Sequence, residues 1–208
     1  YARGSLAIGS IEATALTFLP EFMQKYHTSY PDVKLSLQTE LNDVFQSLVL
    51  NRQLDGAFVA GPVKHPELEE VFLRKEELIV VGSAGASSLT AEGILSNETL
   101  ITFPEGSIFR RRMELLLASM SIPFDDRVTV FNTLGAMIAN ITGGLGYGYL
   151  TRSLSTRYIN QGIMKEYPLT DQTAKQYSTF DLLFIYRRDH IKDASFRYFL
   201  QMLTDHFL

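Results

Sequence analysis

The side chains able to do chemistry in this chain are four histidines, no cysteine and a scatter of carboxylates. His27, His65, His190 and His206 lie too far apart in sequence for a helical metal pair or the zinc-protease motif. Without cysteine there are no disulfides, no thiolate metal sites and no thiol nucleophile. The run Gly143-Gly144-Leu145-Gly146-Tyr147-Gly148 lacks the dinucleotide spacing and leads from a helix into a strand, the reverse of a phosphate cradle. Residues 4–10 carry the outer glycines of a phosphate loop but no lysine. The pairs Glu69-Glu70, Glu76-Glu77 and Asp125-Asp126 are adjacent, so in extended chain they point apart and read as solvated surface. No nucleophile-elbow pentapeptide is present. The reading is a chain that catalyses nothing and calls for neither cofactor nor metal.

What must position any binding group is an alternation of strands and helices. A strand over 5–8 ends at Gly9-Ser10, and Phe18, Leu19, Phe22, Met23 and Tyr26 then recur at helical spacing up to Tyr30-Pro31. Residues 33–38 alternate apolar with polar, the mark of a strand with one wet face. A helix is expected from Asn42-Asp43 to about 51, and a strand over 54–60. This β-α-β-α-β order calls for a parallel sheet covered on both faces. A second set follows: strands at 77–82, 100–103, 127–131, 146–150 and 164–167, a loop at 85–88, and helices at 108–120, 134–142 and 152–159. The tail is a strand over 180–186 and a helix over 192–207. In the triple Arg110-Arg111-Arg112, helical geometry splays the three side chains, leaving room for one to face inward.

Length and charge narrow the function classes. At 208 residues with 46% hydrophobic side chains the chain can bury one large core or two small ones. A net charge of −4 and a pI near 5.6 leave no cation excess to neutralise phosphates, so DNA, if a partner, is held elsewhere. No apolar run approaches bilayer length, and the first residues have no signal-peptide core, which fits a cytoplasmic protein with no membrane partner.

Several segments, in order, resemble the co-inducer domain of LysR-type transcription regulators. They are Gly4-Ser5-Leu6-Ala7-Ile8-Gly9, Phe18-Leu19-Pro20-Glu21-Phe22 through Tyr30-Pro31-Asp32-Val33, Leu54-Asp55-Gly56-Ala57-Phe58, and Glu76-Glu77-Leu78-Ile79-Val80-Val81. Glu105-Gly106-Ser107-Ile108-Phe109-Arg110 followed by Ile122-Pro123 is similar to the second-lobe helix. Gly143 to Leu150 matches a glycine-rich signature, with Thr151 where proline is usual. The resemblance implies an α/β, two-lobed type-2 periplasmic-binding-protein-like fold. Each lobe is a mostly parallel sheet flanked by helices, and two crossover strands join them. Lobe I is expected over 1–75 plus 182–208 and lobe II over 76–181. It further implies an N-terminal winged helix-turn-helix that this chain does not contain, and DNA contact only through it. A homodimer or homotetramer is also implied, with the helix at 44–50 and the strand at 71–73 as candidate seams, core packing being the alternative use of most of these residues.

Ligands of doubly wound sheets bind outside the carboxyl ends of the strands. That places candidate contacts at Ser10, Glu12, Ala13, Thr14, Thr39, Asn42, Ala60 and Gly61 in the first lobe. In the second they are Glu105, Gly106, Ser107, Arg110, Asn132 and Thr133. By position in the family pattern, Ala13, Thr14, Asn42, Ser107 and Thr133 resemble ligand contacts; the residues alone leave helix capping equally open. Converging helix N-termini favour a small anion such as a carboxylate. Glu12 and Glu105, if inward, oppose an anion and favour an amine, with Arg110 as the offsetting cation. The expected function is a small-molecule effector sensor; the alternative is a solute-binding protein of a transport system with the same fold.

Overall fold

The computed structural model describes residues 3–86 and 89–207, and every side chain among them except those of 191 and 192. Tyr1, Ala2, Leu208 and part of the expected 85–88 loop, Ser87 and Ser88, lie outside the described residues. In chain order the elements are β1 (Gly4–Ser10), α1 (Glu12–Leu16), α2 (Leu19–Ser29), β2 (Val33–Thr39), a 3-10 turn (Asn42–Val44), α3 (Phe45–Leu50), β3 (Gly56–Ala60) and β4 (Leu68–Ser83). There follow α4 (Ala91–Asn97), β5 (Leu100–Thr102), α5 (Ile108–Ser119), β6 (Val128–Val130), α6 (Leu134–Thr142) and β7 (Tyr147–Thr151). The chain closes with α7 (Arg152–Asn160), β8 (Met164–Tyr167), α8 (Gln172–Lys175), β9 (Thr179–Arg187), a second 3-10 turn (Arg188–Lys192) and α9 (Ala194–Phe207).

These elements form two compact units, Tyr1–Lys75 with Asp181–Leu208, and Glu76–Phe180. Two strands, β4 and β9, run from one unit into the other. In the first unit the strand order is β2-β1-β3-β9, with β1 parallel to β2 and β3, and β9 antiparallel to β3. Its core is aromatic: Phe22 meets Phe199 at 5.2 Å and Phe58 meets Phe184 at 4.8 Å between ring centroids. Gly56 is required there, because a Cβ would collide with the Phe184 ring. At the amino end of β3, Asp55 takes the Ala7 amide on Oδ2 at 2.7 Å and lies 3.0 Å from His190 Nε2.

The second unit has the order β8-β4-β7-β5-β6. Strands β7, β5 and β6 are parallel, whereas β4 runs antiparallel to both β7 and β8. Helix α6 packs on the face where Gly148 lies, since a Cβ on that glycine would strike Ile141. A side-chain cap starts the helices that follow β5 and β6: Ser107 Oγ accepts from the Phe109 amide at 3.2 Å, and Thr133 Oγ1 from the Ala136 amide at 3.3 Å.

Differences from the sequence reading have local causes. Strand β4 begins at Leu68, well before the expected 77, because the charged run from Glu69 to Glu77 conceals its alternation of buried and exposed residues. Helices α1, α4 and α8 have five, seven and four residues, too short to show a helical period. The helix expected from Asn42 starts as a 3-10 turn and becomes regular only at Phe45.

Candidate functional site

In the first unit the candidate residues gather at the carboxyl edge of three parallel strands. Ser10 ends β1, Thr39 ends β2 directly opposite it, and Ala60 ends β3. Ser10 is fully buried and donates to the Ile11 carbonyl at 2.8 Å, so it is not a helix cap. Ala13 and Thr14 are buried inside α1, while Glu12 occupies its first turn and Thr39 is exposed. Asn42 also departs from a capping role. Its Nδ2 donates to the Ala60 carbonyl at 3.1 Å and its Oδ1 accepts from the Ala60 amide at 2.7 Å. Both polar ends of that side chain are spent on the backbone of one residue, fixing the edge where Gly61 in turn donates its amide to the Asp181 carbonyl at 2.9 Å.

In the second unit the candidates sit at the carboxyl edge of β5 and β6. Gly106, at φ +92°, makes the turn after β5 that a side chain would strain, and Ser107 then caps α5. Asn132 and Thr133 are exposed beyond β6, and the Phe131 amide donates to the Thr102 carbonyl at 2.9 Å, tying the two strand ends together. Neither α5 nor α6 has an acidic residue in its first turn. The Glu105 side chain is 89% exposed and only 3.8 Å from Arg110 at its nearest. Arg110 itself is committed: Nε donates to Glu114 Oε1 at 2.7 Å, and its guanidinium lies 4.7 Å over the Phe124 ring. The arginine expected to balance Glu12 and Glu105 is thus held along its own helix.

A cavity of about 290 Å³ in the second unit lies beside Glu77, Arg152, Glu166 and Tyr167, and one of about 430 Å³ in the first beside Lys64, His65 and Arg188. No candidate residue lines either. In the former, Arg152 forks both Glu166, at 2.7 Å twice, and Glu77, at 2.8 and 3.2 Å, so its charge is internally compensated. Sequence reading missed Thr102, which closes β5 as a fully buried hydroxyl; the signal was a polar residue inside Leu100-Ile101-Thr102-Phe103. Among the described residues, no group of three or more His, Cys, Asp or Glu is placed to hold a metal ion, and no helix is long and apolar enough to cross a membrane.

Comparisons with known proteins bear on what these edges serve. The chain is 30% identical over 204 residues to the HTH-type transcriptional regulator GltR of Bacillus subtilis (strain 168), covering 98% of this chain and 67% of that regulator. It is 32% identical to the HTH-type transcriptional regulator YofA of Bacillus velezensis, over 97% of this chain and 67% of its relative. Among solved structures, the Synechocystis PCC6803 CcmR regulatory domain in complex with 2-PG superposes with a TM-score of 0.81 at 16% identity, covering 99% and 98% of the two chains. CbnR, a LysR family transcriptional regulator, superposes at 0.73 with 18% identity, over 99% of this chain and 70% of CbnR. The fold is therefore the two-lobed periplasmic-binding-protein-like one of these regulatory domains. The LysR substrate binding domain model matches residues 1–208. On that match and on relatives at this level of identity, the chain belongs to the LysR substrate-binding domain family.

Proposed function

We propose that this chain is the effector-sensing domain of a cytoplasmic transcription regulator, and that its effector is a small anion, a carboxylate above all. The observation that carries the reading is the carboxyl edge of the second unit. Two helices of twelve and nine residues start there from neighbouring parallel strands, each with a hydroxyl cap and neither with an acidic residue in its first turn. Such helix starts carry partial positive charge and favour anions. In the first lobe the contacts assigned by this reading are Ser10, Glu12, Ala13, Thr14, Thr39, Ala60 and Gly61, with Asn42 holding the Ala60 backbone in place. In the second lobe they are Gly106, Ser107, Asn132 and Thr133, flanked by Glu105 and Arg110. A ligand that binds one conformational form of the domain better than another shifts the population toward it, and that shift alters how dimers or tetramers present DNA-binding domains. Phe72, 51% exposed on β4, suits a subunit seam, whereas Phe45 and Val49 of α3 are core.

The test is a thermal-unfolding screen against metabolite acids, amines and neutral solutes, followed by calorimetry on each hit. Acids should raise the midpoint and bind with a measurable Kd, and Thr133→Val should weaken them. A response confined to amines, or none to any acid, sinks the anion reading.

A further inference from the structure

Of the three adjacent arginines on α5, Arg112 stands apart. It is partly buried, its Nε is fully buried without a hydrogen-bond partner, and among the described residues no carboxylate pairs with it. The other partly buried arginines of this unit with a visible partner show the contrast: Arg110 is held by Glu114, Arg127 by Asp125 and Arg152 by Glu77 and Glu166.

Sheet register tells which groups share its surroundings. Gly148 lies on the face covered by α6, so Tyr147, Tyr149 and Thr151 lie on the opposite face. Leu100 pairs with Tyr147 in parallel register, which puts Leu100 and Thr102 on that same opposite face. Arg112 belongs there too: its helix α5 packs against β5 and β7, and its charge opposes the burial that pushes the Tyr149 phenol far above its ordinary range, to which Glu77 adds. Thr102 and Thr151, at 0% and 1% exposure, both have an Oγ1 with no hydrogen-bond partner. Tyr149 does not serve them, because its hydroxyl donates to the Tyr177 carbonyl at 3.1 Å. Glu77 does not serve Arg112, because Arg152 forks it. The unit's other buried hydroxyls are satisfied, Ser107 by the Phe109 amide and Ser155 by the Thr151 carbonyl.

Buried hydroxyls without partners and a half-buried guanidinium without a counter-charge are costly in a folded chain. One kind of guest satisfies all three. A cation would be repelled by Arg112, and a neutral molecule would leave its charge uncompensated. We propose that Arg112, Thr102 and Thr151 form a second-unit subsite for a small oxyanion, a carboxylate group or an inorganic anion, beneath α5. This rests on the reading of the domain as an anion sensor and adds to it a cation that the helix starts do not provide. Thr151 occupies the position where the family pattern has proline, so this hydroxyl belongs to the present chain rather than to the pattern.

The test compares thermal unfolding of the whole chain in sodium sulfate, phosphate, formate and acetate against chloride at matched ionic strength. Wild type, Arg112→Gln, Thr102→Val, Thr151→Val and Thr133→Val are measured side by side. Wild type should be stabilised by at least one of these anions, and the response should separate inorganic anions from carboxylates. Thr102→Val and Thr151→Val remove partnerless hydroxyls at nearly constant volume, so each should unfold at or above the wild-type midpoint in chloride. Each should nonetheless lose most of the anion response, and Arg112→Gln should weaken apparent affinity about tenfold or more. No anion response in wild type, or an undiminished one in Arg112→Gln and both valine variants, overturns the subsite. A response lost only in Thr133→Val overturns it while leaving the effector reading intact; one lost only in the Arg112 and threonine variants supports it and removes Thr133 from the site.

Discussion

Asn42 ties its own turn to the end of β3 through the amide and carbonyl of Ala60, and its value can be measured apart from any ligand. Replacing it with alanine leaves the Ala60 amide and carbonyl without their side-chain partner at a buried strand end, which should cost about 1–3 kcal/mol. Urea unfolding of Asn42→Ala in the absence of effector checks this; an unchanged midpoint would return Asn42 to the list of direct contacts. Asp55 gives a pH-dependent counterpart. Burial alone would raise its carboxyl, but the His190 contact, the Ala7 amide and the charges of His190 and Arg187 together hold it below the ordinary carboxylate range. A depressed carboxyl contributes stability that is in place above its unfolded value, about 3.9, and is lost as pH falls through the lower folded value. Asp55→Asn should therefore be less stable than wild type at pH 6 and should lose less stability on going to pH 3, by urea midpoints at both. At this scale the sequence was ambiguous for a physical reason. Ser, Thr and Asn satisfy backbone groups locally or reach across to another loop with the same atoms. Ser107 and Thr133 took the first course, Asn42 the second, and no pattern around them distinguishes the two.

Elements with enough turns or alternations were legible, and those shaped by long-range partners were not. Helices α2, α5 and α9 show their buried stripes in sequence, and β2 shows its alternation, because each repeats its period several times. Strand β4 passes through charged surface before reaching Leu78, so its first half did not read as a strand. The glycine-rich approach to β7 has neither the spacing nor the order of a phosphate cradle, and packing accounts for it. Gly146 approaches the Thr99 carbonyl, where a Cβ would stand 2.6 Å away, and Gly148 makes room for Ile141. Gly148→Ala should push α6 off the sheet, costing about 1–3 kcal/mol as overpacking does. Calorimetric unfolding would show a lowered midpoint; an unchanged one would mean that the Ile141 side chain rotates away at no cost.

At the scale of the whole chain, the family pattern conveyed the two-unit plan more clearly than any single motif did. The observed division at Lys75/Glu76 and Phe180/Asp181 follows the strands that enter both units. An effector that binds only the folded form should raise stability by about 2.7 kcal/mol at a concentration one hundred times its Kd. For a chain of this length that corresponds to a shift of roughly 5–10 °C in Tm. A true effector whose calorimetric Kd and thermal shift disagree grossly would mean that it also binds unfolded chain or that unfolding is not two-state.

The path of β9 has a consequence for how the molecule is made. Strand β3 finishes near residue 60, yet its antiparallel partner is the segment around Leu182 to Tyr186, and Phe199 of the last helix fills the core beside them. The amino-terminal unit must therefore wait on the ribosome for nearly the entire chain, its growing sheet ending in an unpaired edge, while the unit that follows it in sequence is contiguous and is synthesised in full first. A chain stopped at residue 180 should keep slow amide exchange in α5, α6 and β7 and lose it in β1 and β3. For this domain, the half translated first is the half completed last.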